Sequence, residues 1–214
     1  TLQFSGVGGD LAHTGATVVE AGTLLVNGNL LSTAPMSVLS GGTLGGGGSI
    51  AGPATIQTGA TLAPGASPGT LTFGGNVTLE AGANYNWEIA DAAGGAGLIL
   101  GWDLITVGGT LDIAATSSSP FAINLWSLSG VAPDVSGEAA GFSPTRNYSW
   151  TIASAAGGVT GFAADKFVVN AGPANGTLGF ANDLAGGGFS VALDGDDLNL
   201  VFTSTSPSTD IVID

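Results

Sequence analysis

Apolar and small polar residues alternate along the first half of the chain in a pattern that recurs. "TVVEAGTLLVNG" from Thr17, "SVLSGGTLGGGG" from Ser37 and "TIQTGATLAPGA" from Thr55 each read Thr or Ser, an aliphatic residue, two variable positions, a small pair containing Gly, then Thr-Leu. The closing leucines are Leu24, Leu44 and Leu62, a period near 20 residues. Weaker copies begin at Val77 ("VTLEAGANYNWEI") and Ile105 ("ITVGGTLDIAA"). Two period-2 runs per repeat predict two short strands. That length is too short for a βαβ unit or a propeller blade. It fits one turn of a β-solenoid, whose inward Val, Ile and Leu stack on those of the next turn. Gly is expected at the corners, where the chain needs positive φ. Pro64 and Pro68 lack a ladder donor, which puts "APGASPG" at a turn or a sheet rim.

Beyond about residue 90 the repeat blurs. Residues 93 to 101 and 129 to 145 read as loops, and "GFAADKF" as one helical turn. Strands are predicted at 104–114, 121–128, 147–153, 166–170, 176–181, 188–193 and 197–203, with Asp194-Gly195 turning a hairpin. A polar linker with Pro207 then leads to "TDIVID", a strand with no hairpin partner in sequence. The expectation is an all-β chain, a parallel β-solenoid followed by a β-rich C-terminal part. Residues 1–90 are the solenoid repeats, 91–203 a β-rich continuation or a sandwich-like domain, and 204–214 the linker and terminal strand.

Composition narrows the partners. Of 214 residues 44% are hydrophobic, yet only 8% are charged, against about 25% in an average globular protein. Lys and Arg together number 2, against 16 acids, for a net charge of -14. Almost no cations are present to displace phosphate counterions, so nucleic acid is excluded as an expected partner. An anionic membrane surface is disfavoured on the same ground. No run approaches the ~20 apolar residues of a membrane span, so no membrane insertion is expected. Cysteine is absent, which removes disulfides, thiolate nucleophiles and Cys-ligated metals. Trypsin-like proteases find almost nowhere to cut, which suits life outside a cell. The opening "TLQFSGVGGD" reads as a mature form whose signal peptide has been removed, and an extracellular or cell-surface location is expected.

"TVVEAGTLLVNG", "SGGTLGGGGSIAG" and "TLAPGASPGTLTFGGNVTLEAGA" resemble the autotransporter-associated β-strand repeat of secreted bacterial proteins. The tail "FSVALDGDDLNLVFTS" is similar to the end of secreted proteins that carry a Pro-Glu-Pro sorting signal, although here it runs into "TSTSPSTDIVID". The resemblance spans roughly residues 14 to 114. It implies a right-handed parallel β-helix, export, and a structural or adhesive role, and it carries no catalytic residues.

Candidate chemistry is sparse. His13 is the single histidine, read as a surface or coil-capping residue near Asp10. Asp194 to Asp197 offer oxygen ligands for Ca²⁺, but their spacing favours a plain hairpin turn. Glu88, Asp91 and Asp103 could form a glycosidase-type carboxylate pair, without the cations that anionic sugars need. Lys166 and Asn170 invite an isopeptide bond on residue type alone. Asn76, Asn147 and Asn175 head N-x-Ser/Thr sequons. "GGTLGGGGS" lacks the Lys-Ser/Thr of a phosphate loop and reads as a corner. Trp87, Trp102, Trp126 and Trp150 either stack on the sugar rings of an extracellular polysaccharide, if exposed together, or cap the coil and fill its core. No catalytic, metal or cofactor residue is assigned, and no cofactor is expected.

The functional expectation is therefore a non-enzymatic structural subunit that assembles head to tail with copies of itself into fibres or a surface sheath. Leu2 and Phe4 of "TLQF" and Ile211, Val212 and Ile213 of "TDIVID" are assigned to the joint. The alternative is a surface adhesin or glycan-binding module.

Overall fold

The structure, a computed structural model, describes residues 1–4, 11–65, 67–131 and 134–205. Each Thr-Leu repeat folds into three short strands rather than two, because the residues after Thr-Leu turn a second corner and pair again. Strand β1 (Leu2–Phe4) comes first. Five turns then each place a strand in sheets C, A and B, in that order. They are β2 (Thr17–Val19), β3 (Gly22–Val26) and β4 (Asn29–Leu30), then β5 (Met36–Val38), β6 (Gly42–Gly46) and β7 (Ser49–Ile50). Next come β8 (Ala54–Ile56), β9 (Thr61–Pro64) and β10 (Thr70–Phe73), followed by β11 (Val77–Leu79), β12 (Asn84–Ile89) and β13 (Leu104–Val107). The fifth turn has β14 (Leu111–Ile113), the long β15 (Phe121–Val131) with its antiparallel neighbour β16 (Asp134–Ser136), and β17 (Tyr148–Ala155). A last passage adds β18 (Val159–Thr160) to sheet C and β19 (Phe167–Asn170) to sheet A. It ends in the hairpin β20 (Gly188–Asp194) and β21 (Asp197–Thr203), which closes sheet B antiparallel to β17.

The chain is thus all-β, with three stacked, mainly parallel sheets, an arrangement compatible with a β-solenoid. Parallel ladders cross residue 90 without a break: β9 to β12 to β15 to β19 in sheet A, and β10 to β13 to β17 in sheet B.

Side-chain parity explains the core. In sheet C the first and third residues of β5, β8 and β11 are buried and the middle one faces out. In sheet A, Leu24 lies in register with Leu44, Leu44 with Leu62, Leu62 with Tyr85 and Tyr85 with Ile123. The repeat leucines are therefore one inward column, as their spacing predicts. The corner between sheets C and A is a column of glycines, with Gly22, Gly41, Gly59 and Gly82 at φ of +74°, +83°, +76° and +69°. Each donates its N–H to the next corner along, Gly22 to Gly41 O and Gly41 to Gly59 O at 3.1 Å. L side chains are costly there, which is why the pattern keeps Gly.

Four expectations shift. The first repeat is offset: Val18, not Thr17, pairs with Ser37 and so with Thr55. Only Glu20 and Ala21 separate β2 from β3, one residue fewer than in the next corner, so Thr17 takes an inward position and Val18 an outward one. Residues 104–114 are two strands around a corner, and 129–131 extend β15 instead of starting the loop. No strand forms over 176–181, because Asn175, Gly176 and Gly179 adopt φ of +48°, +87° and +87°. Thr177 N–H closes a turn on Ala174 O at 2.9 Å instead. The hairpin at Asp194-Gly195 and one 3-10 turn at Ala164–Lys166 form where the sequence puts them.

Candidate functional site

The aromatic residues face inward at the C-terminal end. Trp87, in β12, and Trp150, in β17, are fully buried, their ring centroids 6.0 Å apart. Tyr148 stacks on Trp150 at 4.9 Å and 9°, and Phe142 stacks on Tyr148 at 5.2 Å. Phe180, Phe189 and Phe202 complete the plug, with neighbouring centroids 5.2 Å apart. Burial this deep requires partners for the indole N–H groups. Trp87 Nε1 donates to Asp103 O at 2.9 Å and Trp150 Nε1 to Ala92 O at 3.0 Å. Of the two roles expected for the tryptophans, Trp87 and Trp150 take the core-filling one. Two of the four have no open face, while half-buried Trp102 ties its Nε1 to Thr151 O at 2.9 Å. Trp126, also half-buried, bridges to Gly179, and its enclosed Nε1 has no hydrogen-bond partner among the described residues.

The carboxylates are spent on architecture. Asp103 is enclosed and accepts Gly69 N–H and Glu88 N–H, both at 2.9 Å, pinning the corner before β10 to β12. Asp91 Oδ1 accepts Ala93 N–H at 2.9 Å in a local turn. Asp103→Asn replaces one acceptor oxygen by a donor that faces an N–H. It is expected to cost about 1–3 kcal/mol, measured by urea unfolding.

Beside them Tyr85 donates its hydroxyl to Ile152 O at 3.2 Å in full burial. Desolvation first, then the charges of Asp103 and Glu88, raise its pKa well above the ordinary 10.0. The folded state holds this proton longer than the unfolded state, so its stabilisation is complete below pH 10 and is lost as pH rises beyond it. Tyr85→Phe is expected to lose about 1 kcal/mol at pH 8 but to fall less than the parent protein between pH 8 and pH 11. Denaturant unfolding at the two pH values measures this.

Several other candidates resolve into local contacts. His13 Nε2 lies 3.1 Å from Thr17 Oγ1, and Asp10 is outside the described residues. Lys166 Nζ donates to Gly161 O at 2.6 Å and Ile113 O at 3.2 Å, not toward Asn170. Asn76 and Asn147 accept backbone N–H groups through Oδ1. Asn175 differs: its Nδ2, the atom a glycan would take, donates to Thr61 Oγ1 and Asn86 Oδ1, both at 3.0 Å.

That contact ends an asparagine ladder on the outer face of sheet A, which the sequence reading missed. Asn124 Nδ2 donates to Asn86 Oδ1 at 3.1 Å, and Asn170 Nδ2 to Asn124 Oδ1 at 2.7 Å. The signal was there as Asn at outward positions in "NYN", "INL" and "VVN", but only the register aligns residues about 40 apart.

The proposed assembly residues split. Leu2 lies in β1 beside Leu24 and is 61% exposed; Phe4 is opposite Val26. Ile211, Val212 and Ile213 lie outside the described residues. Around Leu2, a trough of about 450 Å³ is lined by Thr17, Val18, Val19, Glu20 and Leu24 among others, and Val18 is 51% exposed.

Fold and site together define a class, an all-β protein of stacked parallel sheets plugged at one end by aromatic residues. Neither a family model nor a curated protein matches the chain.

Proposed function

We propose that this chain is a right-handed parallel β-helix, similar to the autotransporter-associated repeat proteins, that works outside the cell as a non-enzymatic structural subunit. It joins copies of itself head to tail into fibres or a sheath, its terminal strand pairing in trans. Parallel strands linked by crossovers are right-handed in nearly all folds, which supports the handedness. The observation that carries the function is the difference between the two ends. Among the described residues, the β20–β21 hairpin and the aromatic plug cover the stack beyond β17, whereas Leu2 and Val18 are exposed beside β2. A joint between two unlike ends does not close on itself and propagates as a filament. Scarce protease sites and low charge fit a durable exported polymer.

Electron microscopy of the purified chain beside a version truncated after Ser206 tests the reading. Fibres are expected from the full chain and none from the truncation, and monomers from both at every concentration overturn it.

A surface adhesin remains the second reading, because Leu98, Ile99 and Leu100 are all exposed on the loop between β12 and β13. Three adjacent exposed aliphatic side chains favour an apolar partner over a sugar ring.

A further inference from the structure

The chain contains two Asn-Gly steps, Asn27-Gly28 and Asn175-Gly176. Glycine has no Cβ to screen its backbone nitrogen, so in each step that nitrogen is able to attack the side-chain amide before it. The fold treats the two steps oppositely.

We propose that Asn27 is a site of spontaneous covalent modification in the folded protein, by ring closure of Gly28 N on Asn27 Cγ, and that Asn175 is held intact. This holds whether or not the chain self-assembles.

Asn27 lies half-buried at the corner between β3 and β4. That corner stacks on the corner of the next turn: Gly48 N–H donates to Val26 O at 2.8 Å, and Ser49 N–H to Gly28 O at 3.0 Å. The two bonds straddle the peptide group between Asn27 and Gly28 and leave it out. Among the described residues, neither Asn27 O nor Gly28 N–H has a hydrogen-bond partner. The group is therefore free to turn toward the side chain without breaking a bond between rungs. The side chain itself is held in the reactive sense. Gly47 N–H donates to Asn27 Oδ1 at 3.0 Å, which places a donor on the oxygen where negative charge gathers as the ring closes. Nδ2, the leaving atom, is bonded to none of the described residues.

Asn175 is the more exposed of the two, and exposure alone would make it the weaker point. Its bonds reverse that order. Nδ2 donates to Thr61 Oγ1 and Asn86 Oδ1, both at 3.0 Å. Asn86 Nδ2 donates to Asn175 O at 3.0 Å, which fixes the peptide group that would have to turn. Release of ammonia here requires both Nδ2 bonds to break, a delay of roughly tenfold for two bonds of typical net strength.

The reaction balances with water as its one co-reactant. The bond from Gly28 N to Asn27 Cγ forms, the Cγ–Nδ2 bond breaks, and Nδ2 leaves as ammonia with the proton of Gly28 N. Water then opens the cyclic imide. Opening at Cγ gives an aspartate at this position. Opening at the main-chain carbonyl gives isoaspartate, in which the chain runs through the side chain and is one carbon longer. Either product adds a negative charge to a chain already at -14. The longer path displaces Gly28, and the corner has no slack, since a Cβ on Gly48 would already strike Gly28 N and O. Isoaspartate is expected to loosen β4 from β7 and to lower the urea midpoint.

The test ages the purified chain in mildly alkaline buffer, native and in urea, and follows both sites by peptide mass spectrometry. The readout is replacement of NH by O, with the isoaspartyl peptide separated by its retention. In urea the two sites are expected to convert at similar rates, because glycine follows both. In the native chain Asn27 is expected to convert roughly tenfold faster than Asn175. Asn86→Ala removes one acceptor of Asn175 Nδ2 and the donor to Asn175 O. With the fold checked by circular dichroism, it is expected to speed Asn175 several-fold and leave Asn27, the reference in the same sample, unchanged. Asn175 converting as fast as Asn27 in the native chain overturns the proposal, as does a native chain in which neither converts while both are lost in urea. An unchanged Asn175 rate in Asn86→Ala overturns its protection by the ladder.

Discussion

Gly46→Val is expected to remove about 2–5 kcal/mol of stability, a large share of the 5–15 kcal/mol typical of a folded domain. Gly46 ends β6 at φ +102°, where a β-branched residue is a true outlier. The left-handed side of the map accounts for roughly 1–2 kcal/mol. The remainder is collision. A Cβ here would run into the N, C and O atoms of Val26 on the neighbouring turn. Backbone cannot swing aside as a side chain does, so the rung must shift, at about 1–3 kcal/mol for overpacking. In stacked turns that shift reaches both neighbours. Gly130→Ala is the control, because a Cβ there meets no described residue within 4 Å; its effect is expected within about 0.5 kcal/mol. Urea unfolding of both variants measures the contrast, and equal losses would mean that close rung-to-rung approach does not explain the glycine runs.

Trp150→Ala is expected to cost about 3–5 kcal/mol, the range for deleting a large buried aromatic. The ring lies between Trp87 at 6.0 Å and Tyr148 at 4.9 Å, with Phe189 at 6.4 Å. Removing it opens a cavity inside the plug and strips Ala92 O of its 3.0 Å donor. At roughly 2–4 °C per kcal/mol for a chain of this size, a fall of about 6–20 °C in Tm is expected. Trp150→Phe keeps most of the volume and should lose less than half as much. A Tm change under about 3 °C for the alanine variant would show that the plug does not hold the end of the coil. Such a result would also weaken the contrast between the covered and exposed parts of the stack on which the proposed function rests.

Which parts of this fold were legible depended on the range of the interaction. The column Leu24, Leu44 and Leu62 could be read because equal spacing of like residues needs no knowledge of the rest of the chain. The corner glycines and the Asp194-Gly195 hairpin were equally local, each residue carrying its own backbone restriction. The segment 176–181 misled because "TLGF" alternates like a strand, while its flanking glycines bend it into a turn. The tryptophans left two readings open. Residue type says that Trp can stack on sugars, but the direction of each face follows from strand parity and from what closes the end.

By itself the sequence determined the stacked, strand-rich architecture, the polarity of inside and outside, and the near absence of cations, because these are properties of residue type and short spacing. Tertiary structure alone decided three things. It set the one-residue offset that turns Val18 outward, since corner length is visible only against the next turn. It enclosed Asp103 between two N–H donors 34 and 15 residues away along the chain. It also joined Asn86, Asn124, Asn170 and Asn175 into one ladder. In each case the partners are distant in sequence and adjacent only across a rung of about 4.8 Å, so the register, not the residues, makes the contact.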